Sequence, residues 1–407
     1  MSTISMIVWN DFLNDARVLK EAQTLQAAGH QVVVHALHAP GKTSERETLE
    51  SGVKVVRVAS SPLWIFRKWR ANPDAAETAE PAVANGAGSR RMVGQLLSIA
   101  ARTWAHIELT YQLVRSRPSV IHAHDVNVLP TAWLAAVLAR VPLVYDAHEI
   151  STDREGYKSF RRVVGWVEKT LMPRAVGTIT TTDARAKFFA RAYGIPRPLV
   201  LQNRPRLTRA AHSNRIRDEL QLDKPWPIIL YQGGLQQGRG LPRLVEVAAS
   251  VPDAWFVFIG GGRQEGELRH LAEQLGLAER VRFIPTVALS ELPDYTASAD
   301  IGVQPIENTC LNHFTTDSNK LFEYVVAGLP VVASSLPEIS KVVRRYDLGI
   351  LTTPGDSESL AEALNALVQD PALRTRYAEN AGIASQHLNW EEQEQALVKL
   401  YERVLAG

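Results

Sequence analysis

One alternation recurs along the whole chain and limits what it can fold into. A short apolar run is followed by a polar or glycine-rich turn, and then by a segment with helical periodicity. The first instance runs from Ile4–Trp9 through the turn Asn10–Asp15 into Arg17–Ala28. There Val18, Ala22, Leu25 and Ala28 share a helical face, Gly29 stands as the C-cap, and Val32-Val33-Val34 opens the next strand. A strand that is apolar on both faces must be covered on both faces, which points to a parallel sheet flanked by helices. The unit repeats at Val120–Ala123 with a helix over Leu129–Ala139, at Pro142–Tyr145 and at Gly177–Thr180.

A second series starts after Pro227. Its strands are predicted at Ile228–Tyr231, Trp255–Ile259, Val281–Ile284, Ile301–Val303, Val331–Ala333 and Gly349–Leu351, with a helix over Leu241–Ser250. The chain has 407 residues, more than one core usually supports. The expectation is an α/β protein of two Rossmann-like doubly wound domains, residues 1–205 and 206–385, joined near Gln202–Trp226, with a last helical segment over 386–407. Its Leu397, Leu400, Tyr401 and Val404 form one stripe. In such sheets ligands bind beyond the carboxyl ends of the strands, so the chemistry belongs in the loops there.

Charge is uneven. Residues 1–205 carry 26 Lys and Arg against 17 Asp and Glu, and the remainder carries 19 against 26. The basic half includes Trp64–Arg70 and Arg90–Leu97, which mix aromatic or apolar side chains with cations and suit contact with an anionic membrane surface. Residues 71–89, poor in large apolar side chains, read as a mobile loop. The single cysteine, Cys310, excludes a disulfide framework and a cysteine metal site, and fits a reducing compartment. No apolar stretch is long enough to span a bilayer. Cytoplasmic location follows as an expectation, with peripheral contact at the inner face of the membrane. Nothing points to nucleic acid.

Three segments carry candidate chemistry. In Tyr231-Gln232-Gly233-Gly234-Leu235-Gln236-Gln237-Gly238-Arg239-Gly240 the glycines let backbone approach an anion and Arg239 offers a forked donor to phosphate oxygens. In Ser318-Asn319-Lys320-Leu321-Phe322-Glu323-Tyr324, Lys320 suits a phosphate and Glu323 suits ribose hydroxyls, although an i,i+3 ion pair accounts for the same spacing. On the strand ending His122-Ala123-His124-Asp125 the two histidines share a face, which leaves a zinc pair open as a rival to hydrogen-bonded structural histidines. Asp15 reads equally as a helix cap. Neither glycine loop reads Gly-x-Gly-x-x-Gly after the first strand, which argues against a nicotinamide dehydrogenase.

Asn319–Tyr324 followed by Ala327-Gly328-Leu329-Pro330-Val331-Val332 resembles the donor-site helix of retaining family-four glycosyltransferases of GT-B fold. The resemblance implies a nucleoside diphosphate sugar donor, a glycan or glycolipid acceptor and no bound metal or cofactor. It implies donor-binding roles for Gly233, Gly234, Arg239, Gly261, Ile284, Lys320 and Glu323, and for the backbone of Phe314, Thr315 and Thr316. His124 is implied at the reacting face of the sugar, making His124, Arg239, Lys320 and Glu323 the catalytic set. Asp15, Arg17, Asp125, His148 and Glu149 are implied on the acceptor side, and the last helix is implied to cross back to the first domain. The chain departs from the family at Thr315, where the first of two glutamates is usual, and Asp317 or Glu307 are candidates to replace it. An epimerase of the same fold and a non-catalytic sugar-nucleotide-binding protein are the alternatives.

Overall fold

The computed structural model describes residues 1–59, 89–208 and 213–406, without the side chains of 89–96, 155, 156 and 158. The aromatic–basic run 64–70 lies outside the described residues, as does the loop expected over 71–89 except Ser89, which begins a helix running to Arg115.

Among the described residues the strands form two sheets. The first contains β1 (Thr3–Ile7), β2 (Gln31–His38), β3 (Arg46–Thr48), β4 (Lys54–Ala59), β5 (Val120–His124), β6 (Leu143–Ala147), β7 (Gly177–Thr180) and β8 (Leu199–Val200), in the order β3-β4-β2-β1-β5-β6-β7-β8. The second contains β9 (Ile228–Gln232), β10 (Trp255–Ile259), β11 (Val281–Ile284), β12 (Ile301–Gln304), β13 (Val331–Ser334) and β14 (Gly349–Thr352), in the order β11-β10-β9-β12-β13-β14. Every pairing is parallel except the short edge strand β3 against β4.

This order explains why the strands read as unbroken apolar runs. The residues of β5, β6, β9 and β10 are buried at every position, because helices cover both faces. It also locates two switch points, between β1 and β5 and between β9 and β12, where neighbouring strands lead to helices on opposite faces and a crevice opens at their carboxyl ends.

The last helix, Glu391–Ala406, returns to the first sheet. Trp390, Leu397, Leu400 and Tyr401 are buried in the same cluster as Ile4, Val18 and Ile179. Trp390 donates from Nε1 to Thr24 Oγ1 at 2.8 Å, and Tyr401 Oη lies 2.9 Å from His122 Nδ1. Trp390→Ala removes a fully buried indole and is expected to cost about 3–5 kcal/mol in urea unfolding; a loss under 1 kcal/mol contradicts this packing.

Candidate functional site

The two crevices face one another across a cavity of about 610 Å³. From the second domain its wall holds Gln232, Gly233, Gly234, Arg239, Asp317, Ser318, Asn319, Lys320 and Glu323. From the first it holds Asn10, Asp11, Asp15, Arg17, His148, Glu149, Thr181 and Arg185.

The floor is shaped by two glycines. Gly233 has φ +115°, and a Cβ there would lie 2.9 Å from Lys320 Nζ. Gly260 has φ +136°, and a Cβ there would come within 2.2 Å of the Gly233 carbonyl oxygen. No L side chain fits either position, so the ammonium of Lys320 rests directly on the β9 loop. That ammonium lies 5.2 Å from the centre of the Tyr231 ring. Burial, and then repulsion from Arg239, lower the Lys320 pKa to about 8. Glu323 does not form the i,i+3 ion pair with Lys320; its Oε2 accepts from Gln232 Nε2 at 2.6 Å. Arg239 has no ion-pair partner among the described residues. The helix Asn319–Val326 opens at Ser318, a non-glycine residue at φ 56°; the Leu321 amide donates to the Ser318 carbonyl at 3.1 Å, and the amides of Asn319 and Lys320 have no partner inside the helix.

Beneath the first-domain wall lies a buried polar network. Arg17 donates from Nε to Asp146 Oδ2 at 2.7 Å and from Nη2 to Oδ1 at 3.0 Å, and its Nε is 3.2 Å from Glu21. His148 Nε2 is 3.1 Å from Asp146 Oδ2, and His148 Nδ1 is 3.8 Å from Asp125. These carboxylates outweigh desolvation and raise the His148 pKa to about 9. Asp146 is held well below the carboxylate range despite its burial, chiefly by Arg17 and then His148. Glu21 is raised to about 8, first by burial and then by Asp146. Ligand atoms of Glu21, His122, His124 and Asp146 lie within 4.8 Å of one another, a grouping open to a metal ion. The Arg17 guanidinium, hydrogen-bonded to Asp146 and 3.2 Å from Glu21, supplies the positive charge there.

Several sequence expectations need correction. His124 is 2% exposed and turned into this network, 3.3 Å from His148 Nε2 and 3.5 Å from Asp146, so it does not reach the cavity wall. Asp125 sits behind His148 and Arg154, which engage its carboxylate. The Ile284 side chain is in the core and its carbonyl accepts from Gly260 N–H, so it backs the glycine loop instead of lining the site. Gly261 stands behind the first loop, its carbonyl accepting from Leu235 N–H. The amides of Phe314, Thr315 and Thr316 are used up by Cys310, Leu311 and His313 carbonyls in the short helix Leu311–Phe314. They are not free for a phosphate. Thr315 is buried, donating to the Leu311 carbonyl and accepting from Arg185 Nε. Asp317 lines the cavity and is bonded to Gln202; Glu307 pairs with Arg243. Arg17 is buried at the cavity wall, and Asp15 caps its helix by accepting from Val18 N–H at 3.2 Å.

Sequence reasoning missed Gln232 and Arg185. Gln232 bridges Glu323 to Thr296. Arg185 joins the domains, donating to the carbonyls of His148 and Asn312 and to Thr315. One signal was available: a cation in the first turn of the helix Asp183–Tyr193 opposes the helix dipole.

His148 adds a testable pH dependence. A histidine raised to about 9 on folding, from about 6.5 unfolded, contributes stability fully present below pH 6.5 and lost as pH rises through 9. The stability difference between wild type and His148→Gln is expected to be on the order of 2 kcal/mol at pH 6 and to shrink by pH 9 in urea unfolding. A difference that grows with pH contradicts the network.

The chain matches two families over most of its length. Residues 15–204 match the "Glycosyl transferase 4-like domain" and residues 212–382 match "Glycosyl transferases group 1". It is 27% identical over 304 residues to the D-inositol 3-phosphate glycosyltransferase of Xylanimonas cellulosilytica, covering 69% of this chain and 71% of that one. It is 26% identical over 395 residues to the phosphatidyl-myo-inositol mannosyltransferase of Mycobacterium leprae, covering 96% and 92%. In fold it resembles Anabaena HepE, solved with UDP and glucose, with a TM-score of 0.75 at 20% identity over 99% of this chain and 100% of that one.

Proposed function

From the premise that the chain is a glycosyltransferase of GT-B fold, we propose that it moves a sugar, with retention, from a nucleoside diphosphate sugar to a hydroxyl of a glycolipid or polysaccharide. The observation that carries the donor assignment is the pairing of Lys320 with a side-chain-free glycine loop beside Arg239, which has no ion-pair partner among the described residues. Two like charges in one partly desolvated wall are costly alone and become favourable when a diphosphate lies between them. Glu323, with Gln232 fixing one oxygen, keeps the other oxygen for ribose hydroxyls.

The barrier to transfer is departure of the diphosphate from the anomeric carbon. Arg239, Lys320 and the Asn319 and Lys320 amides at the start of the helix Asn319–Val326 stabilise the negative charge that grows on it. His148, a cation at neutral pH at the opposite wall, and Glu149 orient the acceptor. His124 acts through its contact with His148. In a front-face reaction the leaving phosphate oxygen takes the acceptor proton, so no base is required on the far face of the sugar.

A membrane-borne acceptor is supported by an exposed apolar face on the first domain. No described helix is long and apolar enough to cross a membrane. The helices Ser89–Arg115, Leu129–Ala139 and Arg161–Leu171 pack side by side and leave Ile99, Ile107, Leu138, Val163 and Trp166 exposed, interspersed with Arg102, Arg140 and Arg162. Such a face suits peripheral contact with anionic lipid.

Two outcomes are expected. A nucleoside diphosphate raises the melting temperature, and Lys320→Ala or Glu323→Ala weakens its binding about tenfold or more by calorimetry. Because bound phosphate favours the charged lysine, binding takes up protons near pH 8 and weakens above it. No nucleoside diphosphate binding at any pH sinks the donor-site reading. For the membrane face, Trp166→Glu is expected to reduce co-sedimentation with phosphatidylglycerol vesicles without changing nucleotide binding; equal sedimentation with neutral and anionic vesicles contradicts it.

A further inference from the structure

A second cavity, of about 760 Å³, adjoins the first and shares Glu149, Arg185, Arg239 and Thr316 with it. It lies between the segment 149–161 of the first domain and the loops 236–242 and 307–316 of the second. Four guanidiniums line it: Arg154, Arg161, Arg185 and Arg239. Its carboxylates are already committed. Glu149 is 3.4 Å from Arg154 Nε, Glu307 is 3.3 Å from Arg243 Nη2, and Asp153 accepts from the Asn312 amide at 2.9 Å. Arg161, Arg185 and Arg239 have no ion-pair partner among the described residues.

Arg185 is the telling member. It is 6% exposed, and burial lowers its pKa, with Glu149 and Asp317 offsetting this only in part. Its hydrogen bonds all run to neutral acceptors: Nη1 to the His148 carbonyl and to Thr181 Oγ1, both at 2.6 Å, Nη2 to the Asn312 carbonyl at 3.1 Å and Nε to Thr315 Oγ1 at 3.2 Å. These hold the guanidinium plane rigidly and leave one Nη2 hydrogen unused. A buried, immobilised and unneutralised arginine is costly unless an anion completes it. The donor diphosphate does not account for the whole group, because Arg154 and Arg161 line the second cavity and not the first.

Resting on the transferase reading, we infer that this second cavity is a subsite for a further anionic group, a phosphate or carboxylate, carried by the sugar substrate beyond the donor diphosphate. Arg185 contacts it at the inner end and Arg161 at the outer. Two sources share this chemistry: a phosphorylated acceptor, or a donor whose sugar is a uronate. A threonine at 315 fits either source, since a glutamate there would neutralise Arg185 and repel the anion.

The test is calorimetry with inorganic phosphate, glucose 6-phosphate and glucose, each with and without saturating UDP or GDP, and with UDP-glucuronate against UDP-glucose. Wild type, Arg161→Ala at the exposed helix start, and Arg185→Lys are compared after checking that each variant melts cooperatively. Phosphate is expected to bind in the presence of nucleotide and to weaken about tenfold in Arg161→Ala. A preference for glucose 6-phosphate over glucose that disappears in Arg161→Ala assigns the anion to the acceptor; a preference for UDP-glucuronate that disappears assigns it to the donor. Absence of an anion preference in both pairs, or a preference unchanged in both variants, overturns the subsite. Phosphate binding that depends on Arg161 without any nucleotide binding retains the subsite and removes the donor-site reading instead.

Discussion

Lys320 is held against a loop that has no side chain to shield it, beside Arg239, with its nearest carboxylate already bonded elsewhere. Other features of the second domain serve that contact. Gly233 and Gly260 take backbone angles closed to other residues so that the ammonium can sit on the β9 loop. Leu321, Tyr324 and Val325 anchor the helix bearing Lys320, and the Tyr324 hydroxyl reaches the Leu230 and Val303 carbonyls across the switch point. A cationic wall built this rigidly gains most from a ligand whose charge grows during reaction, because no reorganisation is needed at that moment.

The first domain works by the opposite electrostatic arrangement. Its buried carboxylates Asp146 and Glu21 and the half-buried Asp125 are distributed around Arg17 and His148. Only His148 of the histidines in this network reaches the shared cavity. The domains meet through Arg185, Asn312 and Gln202, and through the returning C-terminal helix. A motion that separates the domains must break the Arg185–Thr315, Arg185–Asn312 and Asn312–Ile150 hydrogen bonds.

Much of this was legible in the sequence where local pattern dictates structure. The runs Trp255–Ile259 and Val281–Ile284 are strands with the bounds expected: the first is buried at every position and reads as an unbroken apolar run, and the second, at the sheet edge, is buried at its two ends. Gly233, Arg239, Lys320 and Glu323 line one cavity because a strand-end loop and a following helix leave little choice of direction. The failures come from tertiary context. Ile284 ends its strand pointing into the core. His124 has the register of a cavity residue, but Asp146 on the neighbouring strand draws it inward. The amides of Phe314–Thr316 are consumed by a four-residue helix that no periodicity signals. Arg185 acquires its meaning from residues more than a hundred positions away.

The central claim is that a diphosphate lies between Arg239, Lys320 and the Gly233–Gly234 loop. The most direct measurement is a crystal structure of the protein with a nucleoside diphosphate bound. The account predicts phosphate oxygens within hydrogen-bond distance, about 2.7–3.2 Å, of Arg239 and Lys320, with the ribose hydroxyls on Glu323. A nucleotide held on the first domain, or one whose phosphates leave both cations without contact, contradicts it.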